Sequence, residues 1–236
     1  MENCFAREPL RGGMTKSLKY LVCVTMHDKM EEKMKEKAKL FTTKNMALIA
    51  VFGALAGVLM MLKIPVPFAP DFYKIDISDL PVLLGGFMIG PLGGVCIAFI
   101  KILLNILMEG GSKTYFVGEF ANFLAAICLM LPATWIYNRN KSRKMAVLGL
   151  TASGIFTAIV MVFVNGYVLL PIYDRVGWPI QEVINMGSVV NPLVSSKWTL
   201  LLFSVLPFNL LKCTIVSVIT IILYKRLKHV LFTNPV

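Results

Sequence analysis

The chain has 236 residues, of which 57% are hydrophobic and only 16% charged, and its mean hydropathy is +0.72. These values exclude an ordinary soluble domain and favour an all-α integral membrane protein. The formal net charge is +11, but the basic residues stand at the ends of apolar segments. That pattern is typical of cytoplasmic membrane loops, and no nucleic-acid partner is expected.

The residue types that carry much enzyme and metal chemistry are scarce or scattered. The five cysteines contain no C-x-x-C pair, and the two histidines, His27 and His229, lie near the ends of the chain. Cysteines in apolar segments are expected to pack as small hydrophobic side chains. The sequence therefore predicts no catalytic residue and no metal ligand, and the chain is not expected to be an enzyme.

Both ends of the chain are polar. Residues 1–43 contain no spanning segment and are predicted to form a disordered or surface-helical extension, and residues 231–236 a short tail. The membrane domain is predicted to occupy residues 44–230.

The first predicted span, residues 46–64, carries small residues at helical spacing. Ala50 and Ala54 are four residues apart, and so are Gly53 and Gly57. Such faces allow two helices to approach closely in lipid. The spacing alone leaves open whether the neighbour is a helix of this chain or of a partner.

A proline-rich segment, residues 65–76, follows the first span. Its three prolines exclude a continuing helix, and its aromatic and charged residues predict an ordered loop, either a lid over a binding site or a plain connector. The next apolar region, residues 77–108, is interrupted by Gly90-Pro91. We count it as two spans, which gives six transmembrane helices in all, whereas one re-entrant loop would give four.

The remaining spans are predicted at residues 117–137, 145–173 and 198–224. Basic residues cluster in the N-terminal flank, in the loop 139–144 and at residues 225–228. The positive-inside rule then predicts that both termini are cytoplasmic, which requires an even number of spans.

Several polar side chains fall inside the apolar segments. Asn209 and Lys212 share one face of the last span, and Asn165 lies deep in the fifth. A lysine at this depth is functional by default, although Lys212 could instead snorkel or pair with an acid of a neighbouring helix. Lys101 and Asn105 form a second polar pair, which could face a pocket or pair with an acid such as Asp79. We expect these groups to line an outward-facing cavity that binds a small solute.

Five motifs stand out along the chain: Gly90-Pro91 and the runs 73–81 (YKIDISDLP), 118–123 (GEFANF), 165–173 (NGYVLLPIY) and 207–212 (PFNLLK). Together they resemble the riboflavin-specific substrate-binding (S) component of energy-coupling factor (ECF) vitamin transporters. The resemblance covers about residues 43–230.

The resemblance implies six helices and a vitamin bound near the outer surface, as the transported substrate rather than as a cofactor. It implies two groups of substrate-binding residues, a closing loop and a set of polar contacts: Tyr73, Lys74 and Ile75, and Asn165, Asn209 and Lys212. The amide of an asparagine can donate to the acceptors of the flavin ring and accept from its N–H group, whereas a lysine supplies donors only.

The resemblance also implies partners. Ala50 and Ala54 correspond to the motif by which such proteins dock a transmembrane coupling (T) subunit, itself bound to two ABC-type ATPases. The expected location is the bacterial plasma membrane, in contact with membrane lipid.

Two other classes stay open. One is an S component for another vitamin or for FMN, because the scaffold is shared and the pocket varies. The other is an integral-membrane enzyme, which would need a cluster of reactive side chains at a membrane face. The sequence offers only Asp76, Asp79 and Glu119 for that role.

Overall fold

The computed structural model describes residues 42–67, 70, 73–112 and 114–231, with side chains described as far as residue 223. The predicted N-terminal extension and C-terminal tail therefore lie outside the described residues, apart from residues 42, 43 and 231. The chain divides into a unit Met1–Met46 and a unit Ala47–Val236. All side chains discussed below belong to the second unit.

The described part of the chain consists mostly of helices, with one short hairpin and connecting turns. Its elements in chain order are α1 (Thr43–Met61), β1 (Ile64–Pro65), β2 (Lys74–Ile75), α2 (Asp79–Ile89), α3 (Pro91–Met108), α4 (Val117–Arg139), α5 (Arg143–Val164), a π-helical turn (Asn165–Leu169), α6 (Leu170–Arg175), α7 (Ile180–Val190), α8 (Lys197–Leu200), a second π-helical turn (Leu201–Val205) and α9 (Leu206–Leu231).

Five helical stretches among the described residues are long and apolar enough to cross a membrane, which confirms the predicted helical membrane fold. They are Thr43–Met61, Pro91–Met108, Val117–Arg139, Arg143–Arg175 and Lys197–Leu223. The third and fourth contain α4 and α5–α6, and the fifth contains α8 and most of α9.

The helix α2, predicted as the second of six spans, is short. It has 11 residues, about 16 Å at a rise of 1.5 Å per residue, whereas the hydrocarbon core is about 30 Å thick. Nearly all of its residues are buried, in a core that it shares with α3, α4, α5 and α9. Gly90, with a φ of 108°, makes the turn into α3, where the Gly90-Pro91 pair predicted a break.

The two small-residue faces of α1 have different surroundings. A Cβ added at Gly53 would lie 2.6 Å from a side-chain carbon of Ile100, and one at Gly57 would lie 2.9 Å from Leu104, so the glycine face packs closely against α3. Ala50 and Ala54 are both exposed. Packing within the chain therefore uses the glycines and leaves the alanines uncovered.

The proline-rich segment is anchored by the hairpin. Ile64 pairs with Ile75 and Pro65 with Lys74 in antiparallel register, and the backbone N–H of Tyr73 donates to the carbonyl of Pro70 at 2.8 Å. The segment therefore leaves α1 and returns to the bundle beside the start of α2, which brings Tyr73 and Lys74 over the helices that follow.

Candidate functional site

A first cavity lies where the hairpin meets α4, α5, α6 and α9, and it encloses about 100 Å³. Five of the six predicted substrate-binding residues line it: Tyr73, Lys74, Asn165, Asn209 and Lys212. The sixth, Ile75, is not among the lining residues. It is buried in a cluster with Val66 and Phe208, where it holds the hairpin to α9.

Two buried asparagines, Asn165 and Asn209, line one side of the first cavity, and we call them the amide wall. They are 4% and 3% exposed. The Nδ2 of Asn165 donates to the carbonyl of Met161 at 2.7 Å, and that of Asn209 donates to Val205 at 2.8 Å. Asn165 begins the first π-helical turn, and Val205 ends the second. Each amide is thus tied to its own helix through its NH2 group, which leaves its carbonyl oxygen to accept from another partner.

In Asn165 that carbonyl oxygen accepts from a loop residue. The hydroxyl of Tyr73 donates to Oδ1 of Asn165 at 2.9 Å, and its ring packs against Phe208 with the ring centroids 4.9 Å apart. Burial, and to a smaller extent the nearby Tyr173, raises the pKa of the Tyr73 phenol above its ordinary value, so the group remains a protonated donor. The loop thereby crosses the cavity and contacts the amide wall.

Four buried charges form a second group, which we call the ionic cluster: Asp76, Asp79, Lys101 and Lys212. The ammonium of Lys101 lies 2.5 Å from Oδ1 of Asp79 and donates to Oδ1 of Asn122 at 2.8 Å. The ammonium of Lys212 lies 3.1 Å from Asp76 and 3.2 Å from Asp79. Two acids therefore compensate two bases, and each lysine has the acidic partner that the sequence left as one alternative.

Asp76 stays ionised in this cluster. Burial alone would raise the pKa of its carboxyl group, but the ammonium groups of Lys212 and Lys101 and the hydrogen bonds from Ser78 together lower it below its ordinary value. The backbone N–H of Ser78 donates to Oδ1 of Asp76 at 3.0 Å, and its hydroxyl donates to the same oxygen. The cluster is therefore a set of fixed charges at the start of α2.

Sequence reasoning gave Asn122 no individual role. This residue lines the first cavity and bridges the ionic cluster, since its Oδ1 accepts from Lys101 and its Nδ2 approaches Oδ2 of Asp76 at 3.3 Å. A signal was present, because Asn122 follows Glu119 by three residues and both are polar residues on one face of an apolar helix.

A second cavity of about 590 Å³ adjoins the first, and the two share Lys74, Thr114, Gly118 and Asn122 in their linings. Its other polar lining groups include the ion pair of Lys63 with Glu109, the carboxylate of Glu119, Asp76 of the ionic cluster, Asn105 and the indole N–H of Trp178. Glu119 accepts from the hydroxyls of Ser112 and Thr114 at 2.8 and 2.9 Å. The sequence did not predict this cavity.

Comparison with known proteins identifies the fold and the family. Residues 44–224 match the model of the ECF transporter, substrate-specific component. A solved structure described as the S component of a bacterial ECF transporter superimposes with a TM-score of 0.64 at 34% identity, over 81% of this chain and 98% of that one.

Three curated relatives carry the name riboflavin transporter. The protein RibU of Staphylococcus aureus (strain TCH60) is 34% identical over 84% of this chain and 97% of its own length. FmnP of Bacillus subtilis (strain 168) is 28% identical, over 78% and 92%, and RibU of Lactococcus lactis subsp. cremoris (strain NZ9000) is 31% identical, over 81% and 98%. These names and the matched model describe a transporter component rather than an enzyme. The chain belongs to the family of substrate-specific components of ECF transporters, and it is a multi-pass protein of the bacterial cell membrane.

Proposed function

We propose that this chain is the riboflavin-binding subunit of an ECF transporter. It captures the vitamin from outside the cell and delivers it through a complex with a transmembrane coupling subunit and two ABC-type ATPases. The observation that carries the proposal is the first cavity, in which the amide wall and Lys212 meet beneath Tyr73.

The chemistry of the cavity suits a flavin ring. The edge of the ring carries acceptors and an N–H donor, and the carbonyl oxygens of Asn165 and Asn209 can accept from that donor while Lys212 donates to an acceptor. The faces of the ring are apolar and pack well on aromatic and aliphatic walls, here Phe208 and Leu169. Lys74 borders the same cavity, and Ile75 fixes the loop that covers it.

The proposal also assigns the topology and the docking face. The chain crosses the membrane six times, and the second crossing is made by the short α2, buried in the bundle, together with the segment that precedes it, because an even number keeps both basic ends of the chain on the cytoplasmic side. Ala50 and Ala54 dock the coupling subunit. In support, this face is exposed along α1 while the glycine face is already occupied by α3.

Binding is tested with the purified protein in detergent, titrated with riboflavin while flavin fluorescence is followed, with thiamine and biotin as competitors. We expect quenching that saturates at one flavin per chain and that neither competitor reverses. Absence of quenching, or displacement by another vitamin, would reject riboflavin as the substrate.

Docking is tested with Ala54→Trp and with Gly57→Trp as its matched control. Ala54→Trp should bind riboflavin normally but fail to assemble with the coupling subunit, so that uptake is lost. Gly57→Trp should overpack against Leu104 and destabilise the protein by about 1–3 kcal/mol. Lost riboflavin binding in purified Ala54→Trp would contradict a docking role for this face.

A further inference from the structure

A lysine and two aromatic rings mark the start of the last span. The span begins at Lys197, whose ammonium lies 5.7 Å from the ring centroid of Tyr167 and 5.9 Å from that of Trp198. The two rings meet edge to face with their centroids 6.2 Å apart, and both are more than half exposed. Exposed tyrosine and tryptophan at the end of a span are typical of the membrane–water interface. We call these three residues the aromatic cap.

The charge of the aromatic cap is not compensated by an acid. Among the described side chains, the ion pairs belong to Lys63, Lys101 and Lys212, and Lys197 has no carboxylate partner. A ring face attracts a cation but carries no full negative charge, and an ammonium group has three N–H donors to offer. The aromatic cap can therefore still bind an anion, such as the phosphate of a lipid head group.

An open apolar groove of about 360 Å³ lies on the same helical stretch. It is lined entirely by apolar side chains of the second π-helical turn and the start of α9: Leu202, Phe203, Leu206, Pro207 and Leu210. The three leucines follow Trp198 at steps of four residues, so they continue one face of the helix away from the aromatic cap. The groove and the cap are thus the two ends of one surface.

The length of this surface matches one leaflet of a bilayer. Lys197 and Leu210 are about 20 Å apart along the helix axis at a rise of 1.5 Å per residue. Half of a hydrocarbon core of about 30 Å measures about 15 Å. An acyl chain that lies in the groove therefore places its head group beside the aromatic cap.

We propose that the aromatic cap and the apolar groove together bind one phospholipid with a net negative head group, its acyl chain in the groove and its phosphate at the ammonium of Lys197. A phospholipid carries both parts in one molecule, at the spacing that this surface requires. Phosphatidylglycerol keeps the charge of its phosphate uncompensated, whereas the quaternary ammonium of phosphatidylcholine is repelled by Lys197. Because Tyr167 follows α5 and Trp198 lies on α8, the bound lipid also bridges the two helical stretches that carry the amide wall.

The head-group test uses native mass spectrometry of the detergent-purified chain, incubated with equal amounts of dioleoyl phosphatidylglycerol and dioleoyl phosphatidylcholine. The wild type should retain one lipid and prefer phosphatidylglycerol by about fivefold, the effect of one lysine near a membrane surface. Lys197→Gln should retain the two lipids about equally. Arg175→Gln is the matched control, because it removes one exposed charge from the end of the neighbouring span on the same side, and it should keep the preference.

The groove test uses Leu202→Trp, which fills the groove at an exposed position. It should lower the occupancy of both lipids several-fold. Ile222→Trp is its control, an equally bulky change at an exposed position of α9 outside the groove, and it should leave the occupancy unchanged. Thermal unfolding reports whether each variant is folded, and Phe203→Ala, which removes one wall of the groove, repeats the measurement if Leu202→Trp does not fold.

Three results would overturn the proposal. They are equal retention of the two lipids by the wild type, the same loss of preference in Lys197→Gln and Arg175→Gln, and unchanged lipid occupancy in the groove variants. The second would show a general effect of charge, and the third would show that lipid is held elsewhere. Riboflavin titration of the same samples tests the proposed function separately, since lipid binding at this surface does not depend on the transported substrate.

Discussion

The ionic cluster and the amide wall both border the first cavity, but their polar groups are satisfied in different ways. In the ionic cluster, Lys212 and Lys101 have acidic partners from the segment 76–79. In the amide wall, the oxygen of Asn165 accepts from Tyr73, a residue on a loop. Charges buried in a membrane protein need fixed partners because their desolvation is expensive. A neutral amide can exchange its partner at little cost, so it is the better marker of ligand contact.

Lys101→Met should produce the largest effect, a loss of folding stability. It disrupts the ionic cluster at a residue that does not line either cavity. It leaves Asp79 with one ammonium group instead of two, and breaking a buried pair typically costs about 3–5 kcal/mol. Thermal unfolding in detergent measures the loss. The matched control is Lys63→Met, which breaks the pair with Glu109, a pair whose lysine side chain is 27% exposed, and it should cost less than about 1 kcal/mol. Equal losses in the two variants would show that burial does not set the strength of these pairs.

Asn165→Ala and Lys212→Ala sharpen the comparison. Each should weaken flavin binding by about 1–3 kcal/mol, the range for a lost buried or charge-assisted hydrogen bond. Lys212→Ala should also lower the unfolding temperature well below that of Asn165→Ala, because it leaves Asp76 with less compensation. Fluorescence titration and thermal unfolding of both variants check this. If Asn165→Ala lost more stability than Lys212→Ala, the hydrogen bonds of the amide wall, and not the ion pairs, would be the ones that hold the fold.

Tyr73→Phe should have the smallest effect. It should tighten flavin binding, whereas Asn165→Ala and Lys212→Ala should weaken it. We expect a flavin N–H to displace the Tyr73 hydroxyl from the oxygen of Asn165, although an amide oxygen can accept two hydrogen bonds, because both donors would approach it from the first cavity. Removing the hydroxyl removes that competition and should tighten binding by about 0.5–1.5 kcal/mol, the net value of one hydrogen bond. Tyr137→Phe, a buried position outside both cavity linings, is the control and should leave the dissociation constant unchanged. Weaker binding in Tyr73→Phe would mean that the hydroxyl contacts the ligand.

Much of the fold could be predicted from the sequence, because length and hydrophobicity determine which segments can span a membrane. The break at Gly90-Pro91 was equally visible. The role of α2 was predicted less well than its length, since the run 80–89 is apolar throughout, and composition does not distinguish a buried half-length helix from a full span. Packing against α3, α4 and α9 inside the bundle accounts for its hydrophobicity.

The site was predictable in its residues but not in its pairings. Lys212, Asn209 and Asn165 were recognisable as polar groups in apolar helices. The pairing of Lys212 with Asp76 joins residues 136 positions apart, and no spacing rule reaches that far. The second cavity could not be predicted at all, because its lining comes from several separate segments that only the folded chain brings together.

The two π-helical turns, Asn165–Leu169 and Leu201–Val205, have a consequence for how the chain can change length. A π-helical turn holds one residue more than an α-helical turn, so removing one residue there restores a regular helix without rotating the part beyond it. Elsewhere in a helix the same deletion would turn every following side chain to a new face. Of the two asparagines of the amide wall, Asn165 is the first residue of one of these turns, and Asn209 lies about one helical turn after the end of the other. Either turn can therefore lose a residue, which would reshape the first cavity, while the rest of the bundle keeps its packing.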